Sequence, residues 1–139
     1  MNILRGEIEI RPSLQKTLRL KFDSTAVEYF EAQAGIPLMS LNQNMGDTSL
    51  RLLLQAGSQH MNPVITEEKA RAIIDDMPFA DDPDVESGKV HDKMQVWQLL
   101  MTAVSRSLPG MTKSGFIEQA RKAGLTEAHG LPPLENPDS

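Results

Sequence analysis

The sequence has no cysteine. This excludes disulfide frameworks, thiolate zinc sites and thiol nucleophiles together, and it fits a reducing compartment. Aromatic residues are scarce, with one Trp, one Tyr and four Phe, so the core has to come from Leu, Ile, Val, Ala and Met. Apolar runs reach only a few residues, so no segment is expected to span a bilayer and no membrane partner is expected. The start, Met1-Asn2-Ile3-Leu4-Arg5-Gly6-Glu7, lacks a basic stretch followed by an apolar one, and no signal peptide is read there. Recognised catalytic motifs are missing as well. There is no Gly-x-Ser-x-Gly elbow, no Gly-rich phosphate loop leading to Lys-Ser or Lys-Thr, and no Gly-x-Gly-x-x-Gly.

What remains is ordinary for a globular protein. The chain has 139 residues, 40% of them apolar and 24% charged, which suits one domain. A domain of this length buries about 68% of the surface its unfolded chain exposes, enough to fold without staples. The net charge is −5 but unevenly spread. Residues 1–21 carry Arg5, Arg11, Lys16, Arg19 and Lys21 against Glu7 and Glu9, while Asp75 to Glu86 holds six acids and no base. Five basic groups along two strands, without an interleaved aromatic platform, fall short of the dense cationic stripe that nucleic acid demands. They read as a solvated strand face, and no nucleic-acid partner is expected.

Periodicity predicts an α+β fold, mainly α: an N-terminal β-hairpin over residues 3–22 packed on a bundle of about five helices. Ile8 and Ile10 alternate with Glu7 and Glu9, then Pro12-Ser13 breaks the strand; Leu18, Leu20 and Phe22 alternate with Arg19 and Lys21. Helices are predicted at about 24–34, 48–57, 66–77, 89–107 and 112–123. Asp23 or Ser24 caps the first, and Gly35 with Pro37 ends it. Leu50, Leu53 and Leu54 stripe the second. In the third, Ala70, Ile73, Ile74 and Met77 fall at i, i+3, i+4 and i+7. The stretch from Pro78 to Gly88 is predicted as an acidic loop. The fourth helix carries Val90, Met94, Trp97, Met101 and Val104 on one stripe, and further apolar residues widen it as in a helix central to a bundle. Residues 1–124 thus form a single domain, and 125–139 a flexible, Pro-containing tail.

The polar residues give little chemistry. His60, His91 and His129 lie far apart and belong to no paired metal motif, so no metal site is expected. Asp75, Asp76, Asp81, Asp82, Asp84 and Glu86 fail calcium-loop spacing, because Pro83 interrupts them and Gly88 comes after. Eight methionines are a different signal. Their unbranched thioethers suit adaptable binding surfaces, and they equally fill gaps in a core poor in aromatics.

One longer pattern stands out. It runs Leu18-Arg19-Leu20-Lys21-Phe22-Asp23, Ala26-Val27-Glu28-Tyr29-Phe30-Glu31 and Ala34-Gly35-Ile36-Pro37-Leu38. After a spacer come Ser49-Leu50-Arg51-Leu52-Leu53-Leu54-Gln55-Ala56-Gly57 and Ile65-Thr66-Glu67-Glu68-Lys69-Ala70. Over this stretch, a little under half the chain, the sequence resembles the tail assembly chaperones of long-tailed phages and the related small proteins of gene transfer agents. The resemblance implies a protein that is not an enzyme and needs no cofactor, working in the cytoplasm of a bacterial host. It implies a chaperone that coats the tape measure protein before tail tube subunits polymerise around it. In the family a frameshifted longer form often adds a tube-binding extension, which makes the tail tube protein a second expected partner.

Binding of a helical partner uses apolar anchors at i, i+3, i+4 and i+7 met by a flexible groove. Met94, Trp97 and Met101, or Leu50, Leu53 and Leu54, are the candidate partner-binding residues. The same stripes serve as the domain's own core in the other reading. Two alternatives stay open beside the chaperone, a tail completion or head–tail joining component and an enzyme with a carboxylate site that sequence spacing does not reveal; self-association into a homo-oligomer is left open as well.

Overall fold

The computed structural model of the chain describes residues 1–43 and 46–134. Its fold is α+β and mainly α, 52% helical against 10% strand, with the hairpin at the N-terminus. Strands β1 (Glu7–Ser13) and β2 (Lys16–Lys21) pair antiparallel. Ile8, Ile10, Leu18 and Leu20 are buried on the inner face, and Phe22 follows them into the core. The register sets Glu7 against Lys21 and Glu9 against Arg19 on the outer face, where opposite charges across a ladder are favourable.

Pro12 does not end the first strand as expected. The strand runs through it to Ser13, with a register shift between Ile10 and Ser13. A proline has no N–H for the ladder, and a bulge is one of the few places a strand accepts it. The chain enters β1 through Gly6 at φ +82°, where a Cβ would stand 2.6 Å from the Phe22 carbonyl oxygen. Only glycine fits both conditions.

The helices follow their caps. Helix α1 (Ser24–Ala34) starts at Asp23, whose carboxylate accepts from the Ala26 N–H at 3.0 Å, and ends at Gly35 in the left-handed region. A 3-10 segment, Leu38–Gln43, leads towards α2 (Asp47–Gly57); Met45, within that connection, lies outside the described residues. Helix α3 (Glu67–Asp75) is capped by Thr66, with Glu67 and Glu68 at the positive end of its dipole.

The predicted acidic loop contains one helical turn, α4 (Pro83–Glu86). Asp82 takes the Asp84 N–H at 2.8 Å and Pro83 occupies the first helical position, so the residues read as breakers act as a start signal. Helix α5 spans Lys93–Ser105, shorter than the expected 89–107. Asp92 and Gln95 form a reciprocal capping box there, the Gln95 N–H donating to the Asp92 carboxylate at 2.7 Å and the Asp92 N–H to Gln95 Oε1 at 3.0 Å. Helix α6 (Lys113–Lys122) is capped by Thr112.

β1 packs chiefly on α5, and α2 sits between α1 and α3. One apolar core joins all of them. Ser58, fully buried after α2, donates to the Gln55 carbonyl at 2.8 Å and accepts from the Ile65 N–H at 3.0 Å. It ties the end of α2 to the approach of α3. Among the described residues no buried side-chain nitrogen or oxygen lacks a hydrogen-bond partner.

The flexible tail expected from residue 125 is corrected over its first part. Leu125 and Leu131 are buried in the core, with a 3-10 turn, Glu127–His129, between them. The Leu125 N–H donates to the Ala120 carbonyl at 3.0 Å, and Arg121 Nη2 donates to the Pro132 carbonyl at 2.6 Å. Two isolated leucines show no periodicity in sequence, yet each seats one side chain. Residues 135–139 of that tail lie outside the described residues.

Candidate functional site

The starts of α2 and α5 lie side by side and leave an apolar cleft of about 270 Å³ between them, lined by Gly46, Asp47, Leu50, Lys93, Met94 and Trp97. Leu50 and Trp97 form its floor, 2% and 8% exposed, while Met94 stands 48% exposed at its mouth. Lys93 and Asp47 close one rim through an ion pair of 3.1 Å. Both partners are more than half exposed, so the pair orients the rim and adds little stability.

Three of the six sequence candidates, Leu50, Met94 and Trp97, therefore meet here, although they come from helices distant in the chain. The other three do not. Leu53 and Leu54 are fully buried, because α2 is covered by α1 on one side and α3 on the other, and they are corrected to core residues. Met101 is half-buried, packed against the core, and does not line the cleft. The stripe read on the long helix thus divides: Met94 reaches the surface, while Val90 and Val104 at its two ends are buried.

A second cleft, of about 480 Å³, opens between β1, α5 and the end of α6. Glu9, Arg11, His91, Gln95, Gln98 and His129 contribute its polar lining, over Leu99 and Leu125. Two histidines that look unrelated in sequence, His91 and His129, both line this cleft. The Arg11 N–H donates to His91 Nδ1 at 3.0 Å, and the Thr126 N–H donates to His129 Nδ1 at 2.9 Å. A neutral ring that accepts at Nδ1 carries its proton on Nε2. Burial pushes the His91 pKa below 6.5, and the neighbouring Arg11 guanidinium adds to this, against the opposing carboxylates of Asp92 and Glu9. No spacing signal reports this cleft, since its residues come from a strand, a helix start and a terminal turn.

Among the described residues no three His, Asp or Glu side chains are placed to hold a metal ion, and no helix is long and apolar enough to cross a membrane. The acids of 75–86 are spent on capping and solvent, with Asp82 holding the start of α4. No protein family, curated protein or solved structure matches this chain.

Proposed function

We propose that this protein is a tail assembly chaperone of the long-tailed-phage kind, acting in the bacterial cytoplasm without catalysis and gripping the tape measure protein. The observation that carries the reading is the α2–α5 cleft. Its lining is apolar apart from one ion pair at the rim. Its mouth is a half-exposed methionine, a side chain that adapts to irregular partners. At about 270 Å³ it falls below the usual ~300–1,000 Å³ of small-molecule pockets, and suits the anchoring side chains of a helical segment. The residue pattern that resembles the chaperone family includes Leu50 on the cleft floor.

Co-expression with fragments of a tape measure protein tests this. A soluble complex that survives purification, and is lost in Met94→Asp while the variant stays folded, is the expected result. Absence of association at about micromolar concentration, where a specific interface of this kind is worth roughly 8 kcal/mol, defeats the proposal. Stable rings of the isolated protein in native mass spectrometry favour a tail completion or head–tail joining component instead.

A further inference from the structure

The outer edge of β1 ends in the polar cleft. The Phe22 N–H donates to the Gly6 carbonyl at 2.9 Å, and with the observed register this turns the Gly6 carbonyl and the backbone groups of Ile8 and Ile10 toward β2. Those of Glu7, Glu9 and Arg11 turn to the opposite edge. At Glu7 the N–H is taken by the Asn2 carbonyl at 3.2 Å. At Arg11 both groups are taken by His91, whose N–H donates to the Arg11 carbonyl at 2.8 Å. Glu9 lies between them, and among the described residues neither its N–H nor its carbonyl has a partner. One donor and one acceptor, side by side on an extended strand, are completed by one residue of another extended chain.

The cleft beside that edge is rich in donors. The Arg11 guanidinium makes no hydrogen bond or ion pair among the described residues. His91 and His129 each hold a proton on Nε2, as argued above. Gln95 has its Oε1 engaged by the Asp92 N–H, leaving its amide nitrogen. The Glu9 side chain is the one carboxylate in the lining, and it stands across the ladder from Arg19. Leu99 and Leu125 give the cleft an apolar floor.

We infer that this cleft binds the C-terminal end of an extended peptide. A residue near the peptide's end pairs with the Glu9 backbone, an aliphatic side chain rests on Leu99 and Leu125, and the terminal carboxylate is held by Arg11. The inference stands apart from the α2–α5 cleft and does not depend on the chaperone reading.

The test is a ¹H–¹⁵N NMR titration of the full chain with acetyl-Ala-Ala-Leu-Leu, once with a free carboxylate and once amidated. The free acid is expected to give a saturable shift of the Glu9 amide, and the amidated peptide to bind at least about tenfold more weakly, the usual loss when a charged hydrogen bond is removed. Arg11→Ala is expected to weaken the free acid by a similar factor. Both hydrogen bonds between Arg11 and His91 use the Arg11 main chain, so this variant keeps them. Arg11→Lys, which retains the charge without the planar fork, gives an intermediate loss. The inference is overturned by no saturable shift at about millimolar peptide, by equal binding of acid and amide, or by full affinity in Arg11→Ala. Acetate shifting Glu9 as strongly as the peptide overturns it too.

Discussion

Arg11 and His91 stand 80 positions apart in the chain and hold each other through two hydrogen bonds, Arg11 N–H to His91 Nδ1 at 3.0 Å and His91 N–H to the Arg11 carbonyl at 2.8 Å. The pair fastens the start of α5 to the outer edge of the hairpin. At the far end of the same helix Arg106 Nε donates to the Leu4 carbonyl. Helix α5 is thereby tied at both ends to the N-terminal segment that it packs against.

Stability should fall on mild acidification through His91. Its pKa lies below 6.5 in the folded chain because burial, and then Arg11, disfavour the cation. Between that lower value and 6.5 the unfolded chain binds more protons than the folded one, so stability rises with pH in this window. The contribution is complete above about pH 6.5 and is lost as pH falls toward the folded value. Urea midpoints of the wild type are expected to drop between about pH 7 and pH 5. His91→Asn, which keeps an acceptor for the Arg11 N–H, should show a flatter dependence over the same range.

Gly57→Ala should destabilise, although alanine is the better helix former by about 1 kcal/mol. A Cβ on Gly57 would stand 2.8 Å from Phe22 Cζ and 2.9 Å from Leu20 Cβ. Leu20 Cβ is fixed to the strand backbone, so α2 and the hairpin must separate. Overpacking of this kind costs about 1–3 kcal/mol, and it outweighs the helical gain. Urea unfolding of the purified variant gives the value, and an unchanged or higher midpoint contradicts the packing described.

Met94 and Leu53 should separate binding from stability. Met94→Ala removes a side chain 48% exposed, so its stability should change by no more than about 0.5 kcal/mol while binding of a partner helix weakens. Leu53→Ala empties a fully buried position and should cost about 2–5 kcal/mol. Calorimetry of both variants, with a pull-down on the same samples, checks the contrast.

Leu131 and Leu134 offer the same contrast near the C-terminal end. Leu131 is 4% exposed and Leu134 77%. Leu131→Ala should cost about 2–5 kcal/mol by leaving a cavity, and Leu134→Ala close to nothing. Equal midpoints for the two in thermal unfolding would mean that Leu131 is not seated in the core.

The local elements were legible in short-range pattern. The alternation of Ile8 and Ile10 with Glu7 and Glu9, the Asp23 and Thr66 caps, and the glycine after Ala34 each act within one turn or one strand, so their effect is legible without knowing the rest. Their boundaries were less so. Pro12 and Pro83 read as breakers, and only their neighbours, a bulge and an Asp82 cap, decided otherwise. Which apolar residues stay accessible, and which polar ones converge, depends on how distant segments pack. Leu50 and Leu53 look alike on one stripe, yet one floors an open cleft and the other is closed in by neighbouring helices. Glu9, Arg11, His91 and His129 meet because a strand, a helix start and a terminal turn pack together, a relation between distant segments that no local periodicity encodes.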